Sequence, residues 1–242
     1  MRIQKYLSEQ GILSRREAER ALVAGHIRIN GIIVKTLGTN INPDTDHIEL
    51  VQEKINHGNL VQKTFAVHKP RGIVCSKNSA EGKTIFDLFP ALKKFNLNTV
   101  GRLDKESEGL ILLSNDGTMT SAITGENHRI KKEYEVAVRE RVTPSALKKM
   151  ESGIKLDDGM TLPSQTKRIG DHVFHIILVE GRNHQIRRMA NALRLTIASL
   201  KRIRIGNITL NNISPGAYRE LTNKEAVDLK ALAFPNTKND AY

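Results

Sequence analysis

The apolar positions of this chain change their spacing after the first sixty residues. At the start, Ile3, Tyr6 and Leu7 share one helical face, and Gly11 is placed to stop that helix. "SRRE" follows. Ser14 as N-cap and Glu17 three residues on make a capping box, so a second helix is predicted to about Ala24, closed by Gly25. "HIRINGIIV" is two short strands around Asn30-Gly31, a two-residue hairpin signal. "VQEKINHGNLVQ", Val51 to Gln62, is polar without a clear period and reads as a linker. From Lys63 on, strand-like runs dominate: "TFAVHKP", "GLILLS", "EYEVAV", "FHIILV" and "RIRIGNITL". Helical patterns intervene near Pro144 to Glu151 and from Asn183 to about Leu193. "SPGAYRELT" is a turn leading to Thr222, a second N-cap whose box Glu225 completes. The last helix is expected to end near Pro235, before a frayed tail, "NTKNDAY". No internal repeat or low-complexity segment is present. The pattern predicts an α+β fold with a mainly antiparallel sheet, preceded by a small helical unit. The expected divisions are 1–50, a linker 51–62, a large domain 63–236 and a tail 237–242.

Charge narrows the partners. The 242 residues carry 38 basic against 26 acidic side chains, a net +12. That excess favours a polyanion, nucleic acid first and acidic membrane second. A membrane role would need a basic amphipathic helix with bulky apolar anchors, which the pattern lacks. Aromatics are only 4% and Trp is absent, so a groove of Lys and Arg is favoured over base stacking on aromatic rings. Cys75 is the only cysteine, which excludes an intrachain disulfide and a cysteine-cluster metal site. With no apolar signal core in "MRIQKYLSEQ" and no run of eighteen apolar residues, a soluble cytoplasmic protein is expected. Arg15 and Arg16 lie in the first turn of the second predicted helix, where cations oppose the helix dipole. Their placement makes sense if a phosphate docks there. Lys69, Arg71, Arg129, Lys131, Lys132, Lys201, Arg202 and Arg204 are further candidate phosphate contacts, and together they predict binding that weakens steeply with salt.

Candidate chemistry centres on "GRLDKESEGLILLSNDG", Gly101 to Gly117. Leu110 to Leu113 reads as a buried strand and Asn115-Asp116-Gly117 as a turn, so Asp104 sits beside Arg102 on a loop entering a core strand. A calcium loop fails, because its twelfth place falls on Asn115 and it would expose the leucines. A structural Arg–Asp pair closing the turn remains open on spacing alone. A single prepared carboxylate argues against a glycosidase that divides acid and base between two. No Ser–His–Asp order or phosphate-binding glycine loop stands out. His184 is a candidate base, although His at a helix start beside two arginines is more often an RNA or backbone contact. "HKPRG" places two cations at a strand end. In "KKEYEVAV", Tyr134, Val136 and Val138 share one strand face. In "EGRNHQIRRMANAL", Arg182 falls in a turn, and Arg187 and Arg188 flank the stripe Ile186, Met189, Ala190 and Leu193.

Two stretches carry resemblances. "QKYLSEQGILSRREAERALVAGHIRINGIIV" resembles the small RNA-binding module of ribosomal small-subunit protein S-four, the alpha-L motif. From Lys63 to about Glu225, "VGRLDKESEGLILLSNDG", "KKEYEVAV", "EGRNHQIRRM" and "RIGNITLNNISPGAYRELT" resemble, in order and spacing, the rRNA pseudouridine synthases of the RsuA type. "KES" and "GENHRIKKEY" are closest to the F-type 23S rRNA branch; Ser107 stands where most relatives have Thr. The resemblance implies isomerisation of one uridine to pseudouridine, with no cofactor or metal. Asp104 then matches the essential aspartate, acting by addition to the ribose or by removing a ribose proton to give a glycal. Tyr134 matches the tyrosine packed on the uracil, Arg187 the cation paired with the aspartate, and Leu200 the apolar lining. Arg102, Lys69, Asn183 and Gln185 are expected at the substrate, and Arg15, Arg16, Lys201 and Arg202 at the RNA. The implied partner is ribosomal RNA, large-subunit RNA favoured, or a pre-ribosomal particle; a monomer is expected because no interface pattern stands out in the sequence. Two other readings are a non-catalytic assembly factor on the same scaffold and a nucleoside hydrolase, which would release free uracil.

Overall fold

A computed structural model describes residues 1–10, 12–51, 62–125 and 130–233. Gly11, most of the expected linker, Arg129 and the expected end near Pro235 lie outside them.

The chain opens with α1 (Ile3–Glu9) and α2 (Arg15–Val23), then β1 (Ile27–Ile29), β2 (Ile32–Ile33) and β3 (Ile48–Leu50). The capping box forms: Ser14 Oγ accepts from the Glu17 amide at 3.3 Å, and Glu17 Oε2 accepts from the Ser14 amide at 2.7 Å. Asn30 (φ 52°) and Gly31 (φ 80°) make the β1–β2 turn, both left-handed as a tight hairpin requires. β3 pairs on the other side of β1. Ile3, Leu7, Leu13, Ala18, Leu22 and Ile27 fill this unit's own core.

The rest of the chain runs β4 (Thr64–Lys69), α3 (Ile85–Leu88), β5 (Asn98–Val100), β6 (Glu108–Ser114), α4 (Gly117–Thr124), β7 (Lys132–Val138), α5 (Pro144–Ser152), β8 (Lys155–Leu156), β9 (Gly159–Met160), β10 (Gln165–Arg168), β11 (Val173–Leu178), α6 (Gln185–Ala192), β12 (Ile197–Ile205), β13 (Ile208–Thr209), β14 (Tyr218–Glu220) and α7 (Asn223–Ala231). The main sheet has the order β10-β11-β7-β12-β6-β4-β14, with β13 on β12 and β5 on β6. Among the described residues its pairings are antiparallel except β6 with β12, where Lys201 lies opposite Glu108 and Arg202 opposite Gly109. The sheet is therefore mixed, and mainly antiparallel as expected. The parallel join lies at its centre, between strands far apart in sequence.

Burial explains the sequence patterns. β6 is covered on both faces, which is why "LILL" is continuous rather than alternating. Leu110 and Leu112 pack with Met119 and Leu229 from α4 and α7; Ile111 and Leu113 pack with Phe65, Phe86 and Phe89. β7 alternates: Tyr134, Val136 and Val138 pack with residues of α5, α6 and β11, while Glu133 and Glu135 meet His175 on the opposite face. Two readings need correction. The Asn115-Asp116-Gly117 turn begins α4, because Asp116 Oδ1 accepts from the Thr118 amide at 2.9 Å and the Met119 amide at 3.3 Å. "SPGAYRELT" holds a turn and the edge strand β14, whose backbone pairs with β4. The Thr222–Glu225 box forms as expected.

α4 also seats the N-terminal unit. Ser121 Oγ donates to the Ser8 carbonyl at 2.9 Å, and Gly117 approaches Ser14 so closely that a Cβ there would lie 2.1 Å from Ser14 Cβ. No helix among the described residues is long and apolar enough to cross a membrane.

Candidate active site

The loop between β5 and β6 presents Asp104, and it is fastened from below. Lys69, fully buried at the end of β4, donates from Nζ to the carbonyls of Pro70 at 2.9 Å and Lys105 at 3.3 Å. The Gly72 amide donates to the Lys105 carbonyl at 2.8 Å, and the Ser107 amide to the Asp104 carbonyl at 3.0 Å. The Leu103 amide lies 3.4 Å from Cys75 Sγ, and Arg202 Nη1 reaches the Arg102 carbonyl at 3.4 Å. A side chain on a loop so tied stays where the backbone puts it.

The Asp104 carboxylate, about one-third exposed, has the Arg187 guanidinium on one side and the His184 imidazole on the other. Arg187 Nε is 3.5 Å from Oδ2, and His184 Nε2 is 3.6 Å from Oδ1. Ser107, buried, bridges the first pair: its Oγ lies 3.5 Å from Asp104 Oδ2 and accepts from Arg187 Nη2 at 3.2 Å. Contacts this long attract the carboxylate without filling its lone pairs. Tyr134, Leu178, Ile186 and Leu200 line the same cleft with apolar surface, and Arg102 stands at its mouth. The cleft is open to solvent at its mouth. Glu180 also borders it, but its oxygens are taken: Oε1 by the Leu162 amide (2.9 Å) and Gln185 Nε2 (2.6 Å), Oε2 by Arg182 Nε (3.1 Å). Asp104 is thus the carboxylate of this cleft with room for a reaction partner.

Beneath the site lies a cationic layer. Burial pushes the Lys69 ammonium below its ordinary range, opposed by Cys75, Asp104, Glu106 and Glu108. Burial and the charge of Arg202 push Lys132 down to about 8. Burial raises the Cys75 thiol despite the Leu103 amide and the neighbouring cations. Among the described residues no cluster of His, Cys, Asp or Glu is arranged to hold a metal ion.

Of the residues expected at the substrate, the structure brings Asp104, Tyr134, Arg187, Leu200, Arg102 and Gln185 to the cleft. Gln185 arrives with its amide already engaged, Oε1 accepting from the Arg182 amide at 3.1 Å and Nε2 donating to Glu180. Asn183 is exposed outside the lining. Lys69 needs correction: its ammonium is buried under the loop and serves backbone carbonyls, so it does not face a substrate. Arg202 needs the same correction as an RNA contact. Only 3% exposed, it donates from Nε to the Leu110 carbonyl at 2.7 Å and lies 6.0 Å from the Tyr134 ring centre. Lys201 is partly exposed, with Nζ 3.6 Å from Glu108 Oε1. Arg204 pairs with Glu133 at 2.8 Å and Arg71 with Glu106 at 3.3 Å. Arg15 and Arg16 are exposed at the start of α2. The sequence reading missed Ser107 as a bridge and Asp158, which meets Arg182 and Arg188. Ser107 had a local signal, three residues after Asp104; Asp158 had none.

The chain has clear counterparts among known proteins. Residues 63–192 match the sequence model of the RNA pseudouridylate synthase family. The chain belongs to that family. Residues 1–46 match the S4 domain. The synthase is 35% identical to the dual-specificity RNA pseudouridine synthase RluF of Escherichia coli K12, over 96% of this chain and 79% of the relative. It is 32% identical to the ribosomal large subunit pseudouridine synthase B of Bacillus subtilis, over 96% of each. A crystal structure of a pseudouridylate synthase superposes with a TM-score of 0.70 at 31% identity, over 95% of this chain and 99% of that one. The family resemblance read from "VGRLDKESEGLILLSNDG" and its companion stretches therefore stands.

Proposed function

We propose that this synthase isomerises a single uridine of ribosomal RNA, with large-subunit RNA as its first substrate and Asp104 as its nucleophile. The observation that carries the chemistry is the uncommitted Asp104 carboxylate beside Arg187, in a cleft floored by Tyr134 and Leu200. The names of the B. subtilis and E. coli relatives support the choice of RNA.

Pseudouridine formation breaks the bond from ribose C1′ to uracil N1 and makes one from C1′ to C5. The hydrogen leaves C5 for water and a proton goes to N1, so atoms balance without oxidant, metal or energy source. Asp104 acts while the glycosidic bond breaks, by adding to the ribose or by removing a ribose proton. Both routes use the carboxylate in a partly desolvated cleft, where Arg187 Nε stands 3.5 Å from Oδ2. Tyr134 and Leu200 bound the detached base while it turns. The uridine must leave the RNA stack to reach Asp104, at a cost of a few kcal/mol. Arg102, exposed at the mouth, fills the gap or holds the adjacent phosphate. In this reading residues 1–50 dock RNA through Arg15 and Arg16, residues 63–236 carry the chemistry, and the protein works as a cytoplasmic monomer.

The test is tritium release from ribosomal RNA carrying tritium at C5 of its uridines, followed by mapping of the pseudouridine. Release with one new pseudouridine in large-subunit RNA is expected. No release from either subunit's RNA, naked or in precursor particles, would sink the proposal.

A further inference from the structure

The β8–β9 hairpin stands apart from the main sheet, with two residues in each strand. So small a hairpin does not hold its shape in water alone. Here two arginines fasten it to the start of α6. Asp158, at its tip, takes Arg188 with both oxygens: Nη2 reaches Oδ1 at 2.6 Å and Nη1 reaches Oδ2 at 2.9 Å. Arg182 Nη1 donates to Asp158 Oδ1 at 3.3 Å and to the Asp158 and Gly159 carbonyls at 3.3 and 3.1 Å; Nη2 takes the Met160 carbonyl. From these anchors Arg182 Nε holds Glu180, and Arg188 Nη1 donates to the Asn183 carbonyl at 3.3 Å.

The fastened segment is the one that faces Asp104. His184 begins α6 without a side-chain cap, at φ 48° and ψ 29°. A non-glycine residue adopts that left-handed conformation rarely, and it persists only where the surroundings hold it. From it the imidazole reaches Asp104, and Arg187, three residues on, lies 3.5 Å from the same carboxylate.

We propose that Asp158 is a positioning residue for the isomerisation: through Arg182 and Arg188 it braces the 180–184 loop and the first turn of α6, and so sets His184 and Arg187 against Asp104. This rests on Asp104 being the reacting carboxylate. The converse idea, that Asp158 masks an anion site meant for an RNA phosphate, fits less well. Arg182 spends its guanidinium on three hairpin carbonyls and Glu180, a set that a phosphate would not replace. The bond from Arg188, with that from Arg182, outweighs partial burial and holds the Asp158 carboxyl down to about 2, so the brace stays charged at neutral pH.

The test uses the full-length protein and its tritium-release assay. Wild-type release together with none from Asp104→Ala establishes the underlying reading by itself. Asp158→Asn should then lower kcat at least about tenfold, within the loss of about a hundredfold that a misplacement of about an ångström can cause. KM, RNA affinity and Tm should stay near wild type, amide exchange across residues 182–187 should quicken, and Asp158→Glu should recover part of the rate. Asp157→Asn removes the same charge from the neighbouring exposed residue and should change nothing. Arg188→Lys, which keeps the charge but loses the two-point contact, should reproduce the kcat loss. An unchanged kcat and unchanged exchange in Asp158→Asn would overturn the proposal. So would tighter RNA binding or faster turnover, which would make Asp158 a mask over an anion site. The exchange measurement reads the brace even if no RNA is turned over.

Discussion

Gly109→Ala should break the centre of the sheet. Gly109 lies in β6 at φ +114°, opposite Arg202 across the parallel join. A Cβ at that position would stand 2.3 Å from the Arg202 carbonyl oxygen, 2.6 Å from its amide nitrogen and 3.0 Å from its carbonyl carbon. All three atoms are backbone, so no rotamer relieves the clash. The left-handed backbone costs about 1–3 kcal/mol for a residue with a side chain. Forcing two hydrogen-bonded strands apart costs about 1–3 kcal/mol more. Together that is at least about 2 kcal/mol, and at about 2–4 °C per kcal/mol for a chain of this size the Tm should fall by at least about 4 °C. Thermal unfolding followed by far-UV circular dichroism measures it. Gly170→Ala is the control, because a Cβ there meets nothing within 4 Å and its backbone needs no left-handed turn. The same join carries the Asp104 loop on one strand and Leu200 on the other, so kcat should fall with the Tm. A Tm loss no larger than that of Gly170→Ala would refute the reasoning.

Asp116 gives a pH prediction: burial pushes its carboxyl up, but bonds from Lys230, Thr118 and Met119 more than offset this and leave it below its ordinary value. A depressed carboxyl contributes stability that is full above the unfolded value of about 3.9 and is lost as pH falls through the folded value. In urea unfolding, the gap between wild type and Asp116→Asn should therefore be full above about pH 5 and shrink as pH falls through the folded value; a constant gap contradicts this. Arg202→Met removes the donors to the Leu110 and Arg102 carbonyls. It should cost about 2–3 kcal/mol of stability and lower kcat with RNA affinity unchanged, whereas a phosphate contact would show the reverse. Arg15→Ala and Arg16→Ala should each weaken RNA binding and flatten its salt dependence by about one unit of slope, with Tm unchanged; an unaltered slope removes them from the interface.

Much of the fold was legible because burial writes itself into strand patterns. β6 reads as a continuous apolar run because both its faces are covered, and β7 alternates because Tyr134, Val136 and Val138 face the core while Glu133 and Glu135 do not. The capping boxes at Ser14 and Thr222 were legible because they are local. What stayed hidden depends on distant partners. Asp116-Gly117 has the same local chemistry in a turn as at a helix start, and only the packing of α4 on α7 decides. Lys69 and Arg202 are charged, so they read as surface; they are buried where the carbonyls of Pro70 and Lys105 accept from Lys69 Nζ and those of Leu110 and Arg102 accept from Arg202 Nε and Nη1. Asp158 lies 54 residues after Asp104 and acts through two arginines, a relation that no spacing in the chain expresses.

The central claim is that Asp104 performs the chemistry. Asp104→Asn keeps the side chain's size and removes only its charge. Turnover of C5-tritiated ribosomal RNA by this variant, measured beside its RNA affinity and Tm, tests the claim directly. The expected result is no tritium release above background, with RNA affinity within about twofold and a Tm near wild type, because Asp104 is partly exposed and its ion pairs are long. Release at a rate comparable to wild type would contradict the account and move the reaction to another carboxylate.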